Sequence, residues 1–96
     1  MRPSEALQRH RLEIREIVAR HGVRNVRIFG SVLHGDDTDE SDLDLLVDVP
    51  KGTTLLDMVR LQTAIEDIVG VRVDVITALD LPEKLRSRVL AEAKAL

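Results

Sequence analysis

The segment DLDLLVD, residues 42–48, constrains this chain more than any other stretch. Successive side chains of a strand point to opposite faces, so Leu43, Leu45 and Val47 share one face while Asp42 and Asp44 share the other. The apolar face demands a core. The acid face needs another explanation, because Asp is depleted in strands and two neighbouring carboxylates repel each other. Such a pair becomes favourable when a divalent cation sits against it. Oxygen donors select hard ions, and Mg²⁺ in particular is held by one or two carboxylates together with substrate phosphates. The bland alternative is a pair of ordinary solvated residues on an exposed strand face. A calcium-binding loop over residues 37–48 fails, since Asp42 stands at its sixth position, where glycine is required.

The remaining elements follow from periodicity and stop signals. Residues 4–20 read as a helix with Ser4 as N-cap, an apolar stripe of Leu7, Ile14, Ile17 and Val18, and His21-Gly22 as the stop. Residues 25–30 read as a strand, followed by a short helical turn (SVLHG) and a polar loop (DDTDES). Pro50, Lys51 and Gly52 break the strand at 42–48. Thr54 and Asp57 then offer a capping box to a helix carrying Leu55, Met58, Leu61, Ile65 and Ile68 up to Gly70. A third strand is expected over 71–76, with Val71, Val73 and Val75 on one face and Arg72, Asp74 and Ile76 on the other. After Asp80 and Pro82 a last helix carries Leu85, Val89 and Ala93. The expectation is one α/β (α+β) domain, residues 1–96, of order αβαβαβα with a small mixed three-stranded sheet packed on helices.

Composition excludes several classes. There is no cysteine, hence no disulfide framework, thiolate metal site or cysteine nucleophile, and the cytoplasm is the default location. No apolar run approaches the about 20 residues that span a bilayer, and the N-terminal MRPSEALQRH has no signal-peptide core, so no membrane role is expected. Phe29 is the only aromatic residue and the net charge is −3, which argues against direct nucleic-acid binding. The charge is unevenly placed: residues 1–30 hold seven Arg against three Glu, whereas residues 31–50 hold seven acids and no Lys or Arg. Within that acid block, Asp36, Asp37, Asp39 and Glu40 read as loop solvation and attraction for a cation rather than as ligands.

The second half of the constellation lies upstream. Gly30-Ser31 ends a strand and opens a helical turn, so free backbone N–H groups and the Ser31 hydroxyl can face an anion. Asp74, on the face of its strand opposite the valines, can complete the site as a third carboxylate or merely pair with Arg72 or Arg27. A phosphate cradle facing paired carboxylates is what metal-assisted phosphoryl or nucleotidyl transfer needs, and a third carboxylate would help activate the acceptor hydroxyl.

Gly30-Ser31, ten intervening residues, then Asp42-Leu43-Asp44 resembles the G-S-x10-D-x-D signature of the polymerase-beta-like nucleotidyltransferase superfamily. Those four fixed positions match by chance about once in 10⁵ starts. GSVLHGDDTDESDLDLLVDV is similar, more narrowly, to the minimal nucleotidyltransferases, and Asp74 in VRVDVIT matches their third acidic residue. The resemblance covers nearly the whole chain. It implies that Gly30 and Ser31 hold the nucleotide phosphates, that Asp42 and Asp44 bind Mg²⁺, and that Asp74 is metal ligand or general base. It also implies AMP transfer from ATP, and a role as antitoxin to a HEPN-type ribonuclease toxin, silenced by modification of a tyrosine. With no second domain to bind an acceptor, a homo-oligomer or a hetero-oligomer with the toxin is expected. The competing expectation is a non-catalytic antitoxin that neutralises the same partner by steric binding.

Overall fold

Strand β2 (Leu43–Asp48) occupies an inner position of the sheet because four of its six side chains demand burial: Leu43, Leu45, Leu46 and Val47 are wholly inaccessible to solvent. The computed structural model describes residues 1–96. β1 (Arg24–Phe29) pairs with β2 antiparallel, and β3 (Val73–Ile76) pairs with it parallel on the other side. Helices α1 (Pro3–Arg20) and α3 (Leu55–Val69) cover one sheet face, where Leu7, Ile14, Ile17 and Val18 meet Leu61, Ile65, Val69 and the inward residues of β2 and β3. Each such buried side chain contributes about 1.5–3 kcal/mol through area removed from water. The opposite face carries the acids. A short helix α2 (Gly30–His34) connects β1 towards β2, and a 3₁₀ turn (Ala78–Asp80) leads from β3 to α4 (Glu83–Glu92).

Several expectations need correction. The sheet has four strands in the order β3-β2-β1-β4, not three. The last helix stops at Glu92, Ala93 adopts extended geometry, and β4 (Lys94–Ala95) pairs antiparallel with Arg27 and Ile28. A two-residue strand is too short to carry a periodic signal. Leu85, placed in the apolar stripe of α4, remains 39% exposed. In α3 it is Val69 that is buried, while Ile68 faces outward, and β3 begins at Val73 rather than at Val71.

Ser4 is not the N-cap of α1. Arg2 holds that position without a side-chain bond and Pro3 takes the first turn, where its missing N–H costs nothing. The Ser4 N–H is instead satisfied from a distance: it donates to Oδ2 of Asp37 at 2.9 Å. Asp37 is therefore no solvated loop acid but a buried group that ties the acid loop to the start of α1. The capping box at α3 forms as expected, with Thr54 N–H donating to Asp57 and Asp57 N–H to the Thr54 hydroxyl.

The outer edge of β3 is closed by α3. Glu66 Oε2 accepts the Val73 N–H at 3.0 Å and Gln62 Oε1 accepts the Val75 N–H at 3.3 Å. These side chains stand where a further strand would otherwise bond.

Candidate active site

Parallel register sets the site. Asp44 and Asp74 are direct partners across β2 and β3, so their carboxylates leave the same face of the sheet. Asp42 lies one residue ahead of β2 rather than inside it, level with Arg72, whose carbonyl accepts the Leu43 N–H at 2.9 Å. On the other flank Phe29 is the partner of Asp44, which brings the next residue, Gly30, over that carboxylate.

Gly30 is required there on two counts. Its φ of 72° lies in the left-handed region, and a Cβ would collide with Asp44 Oδ2 and lie 3.1 Å from Asp44 Cγ. Ser31 follows in the first turn of α2, where backbone N–H groups have no partner within the helix. Gly35, with φ 76°, closes that helix. The structure thus gathers Gly30, Ser31, Asp42, Asp44 and Asp74 around the ends of β1, β2 and β3.

Neither structural alternative for Asp74 is realised. Arg27 Nη2 donates to Asp48 at 2.7 Å, and Arg72 Nε approaches Asp42 Oδ1 at 3.0 Å, so both guanidinium groups are engaged elsewhere. Burial, then the charges of Asp42 and Asp80, raise the Asp74 carboxyl above its ordinary value. Burial, then Asp74 and Asp42, push Asp44 up to about 6. Both carboxylates are short of positive charge.

The donor chemistry fits a hard divalent cation. Oδ1 of Asp42 is shut off from solvent and accepts no hydrogen bond, because the nearby Arg72 N–H is not aligned with it. An orphaned carboxylate oxygen beside a carboxyl that resists ionisation is the arrangement that a cation relieves. No three carboxylates or imidazoles converge closely enough to hold an ion by themselves, so substrate oxygens would have to complete its shell.

Two clefts flank these carboxylates. One, of about 570 Å³, runs beside β3 with Asp74 and Asp80 on one wall and Leu55, Met58, Val59 and Leu79 on others. The second, of about 330 Å³, lies between Phe29, Gly30, His34 and Arg88. Sequence reasoning missed the position of Asp80, whose carboxylate accepts the Thr77 N–H and hydroxyl in a second capping box. The signal was present: Thr77 and Asp80 repeat the spacing of Thr54 and Asp57. The contact of Arg72 with Asp42, rather than with Asp74, left no such local trace.

Known proteins resemble this chain in sequence and in fold. The family model described as "Nucleotidyltransferase domain" matches residues 11–96. A Methanocaldococcus jannaschii protein, provisionally named a protein adenylyltransferase, is 40% identical over 77 residues, covering 80% of this chain and 83% of that relative. The protein adenylyltransferase MntA of Thermococcus cleftensis is 36% identical over 86 residues, 90% of this chain and 84% of its own length. A solved structure provisionally described as a minimal nucleotidyltransferase superposes with a TM-score of 0.84 at 46% identity, covering 97% of this chain and 95% of that one. With a family match over nearly the whole chain and a relative of the minimal type superposing along its length, this chain belongs to the nucleotidyltransferase domain family and is a nucleotidyltransferase of the minimal type.

Proposed function

We propose that the chain transfers AMP from ATP to a hydroxyl of another protein, most simply a tyrosine of a HEPN-type ribonuclease toxin, and so acts as an antitoxin in the cytoplasm. The observation that carries this reading is the placement of Gly30 directly over Asp44, with Asp74 as its cross-strand partner. The name of the Thermococcus cleftensis relative supports a protein as acceptor.

On this reading Gly30 and Ser31 receive the phosphates through backbone N–H groups and the Ser31 hydroxyl. Asp42 and Asp44 hold Mg²⁺, with Asp74 as third ligand or general base; the ion would neutralise charge on the reacting phosphate. The acceptor oxygen attacks the α-phosphorus, the bond to pyrophosphate breaks, and the acceptor proton passes to Asp74. A carboxylate raised above its ordinary pKa is the better base for that proton. The ~570 Å³ cleft against Asp74 gives the acceptor side chain an approach that does not cross the Gly30–Ser31 turn.

The test is label transfer from α-³²P-ATP with Mg²⁺ to a HEPN-type protein sought among the products of neighbouring genes. Wild type is expected to label it. Asp42→Asn with Asp44→Asn is expected to reduce labelling by about 10³-fold while the fold is kept. Equal neutralisation of the toxin by both forms, without labelling, would favour steric binding instead.

A further inference from the structure

Arg72 is the one cation placed against the carboxylates, and its situation is unusual. Its Nη2 donates to the Glu40 carbonyl at 2.9 Å, which fixes the guanidinium beside the acid loop. Its Nε lies 3.0 Å from Asp42 Oδ1, yet that oxygen receives no aligned hydrogen bond. The Arg72 side chain is 73% exposed, so little packing holds it in place. An ion pair this open is weak and easily exchanged for a stronger partner. The guanidinium therefore lies against Asp42 without satisfying its buried oxygen.

We propose that Arg72 is a displaceable counter-cation: it holds Asp42 in the metal-free enzyme, yields that carboxylate to the divalent ion, and turns to the phosphates of the nucleotide that the ion carries. This rests on the metal–nucleotide reading above and adds to it a positioning and phosphate-binding residue. A guanidinium within reach of a metal-ligating oxygen is also within reach of the phosphate oxygens that share the metal. Its planar fork suits them. Anchorage to the Glu40 carbonyl keeps it at the rim of the site during the exchange.

The two halves of the proposal predict effects of opposite sign. Arg72→Met keeps the length of the stem and removes the charge. Mn²⁺ alone, titrated calorimetrically or by the loss of its free-ion resonance signal, is expected to bind Arg72→Met about threefold to tenfold more tightly than wild type. A nonhydrolysable ATP analogue with Mg²⁺ is expected to bind it about fivefold to tenfold more weakly, with Arg72→Lys recovering part of the loss. A residue that merely braced the start of β3 would weaken both or change neither. Unchanged or weaker Mn²⁺ binding by Arg72→Met overturns the displacement, and unchanged analogue binding overturns the phosphate contact. Asp42→Asn separates the two layers of argument: if it binds Mn²⁺ as well as wild type does, the metal reading itself falls and takes this proposal with it.

Discussion

Two carboxylates seven positions apart, Asp37 and Asp44, are both withdrawn from water and have opposite fates. Burial pushes each one up. At Asp37 the Ser4 N–H and the charge of Arg2 overcome that push, and the carboxyl ends below its ordinary value. At Asp44 nothing opposes it; Asp74 and Asp42 add to it, and the group reaches about 6. The acid loop has thus been supplied with donors by the protein, and the strand face has not. Burial alone does not distinguish a structural acid from a working one. The distinction lies in whether the chain provides the partner or leaves it to come from outside.

The sharpest way to break this contrast is to disturb the contact that shapes Asp44. Gly30→Ala places a Cβ against the carboxylate at a φ that L-residues resist. Label transfer is expected to fall by about 10²-fold as Asp44 is displaced. The urea midpoint should drop by the equivalent of about 1–3 kcal/mol. Wild-type activity in this variant would show that the close approach is incidental. Asp37→Ala is the complementary change. It removes the oxygen that satisfies the Ser4 N–H and is expected to cost about 1–2 kcal/mol in urea unfolding, with Mn²⁺ binding unaltered. A loss of Mn²⁺ affinity there would erase the distinction between the two acids.

The smallest effect is the pH dependence, and its sign is opposite at the two positions. The folded-state pKa of Asp44 is raised, so its contribution to stability is fully present below about 4 and is lost as pH rises through about 6. After allowance for solvent screening of a half-exposed group, that loss is about 1 kcal/mol. The folded-state pKa of Asp37 is lowered, so its contribution is present above the ordinary carboxylate range and disappears as pH falls through the lowered value. Urea midpoints of the metal-free protein between about pH 3 and 8 check both. Asp44→Asn should remove the decline between about 4 and 6, and Asp37→Asn the decline at the acid end.

What the sequence disclosed was local in origin. The alternation of Leu43, Leu45 and Val47 with Asp42 and Asp44 needs only the geometry of one strand, and the Thr54–Asp57 box needs only one helical turn. Those features were legible. The bond from Ser4 to Asp37 spans 33 positions, and no periodicity within either segment announces it. The same holds for Gly30 over Asp44, where the glycine was readable as a strand end that lets the backbone approach closely, but Asp44 was not readable as the neighbour it approaches. Asp74 stands between these cases. Its face was set by alternation, whereas its neighbour across the sheet was set by the parallel register with β2. Strand β4 escaped because two residues pairing with Arg27 and Ile28 leave no pattern of their own.

The closure of the β3 edge by Gln62 and Glu66 reaches beyond the fold of one molecule. At the other margin β4 offers only two residues. A growing cross-molecular sheet finds no long row of open donors and acceptors on either side, which guards the chain against aggregation when its concentration is high. It also limits how any partner chain can pair with the sheet. Borrowed strand pairing finds little open edge, so side chains rather than an added strand are left to set any such contact.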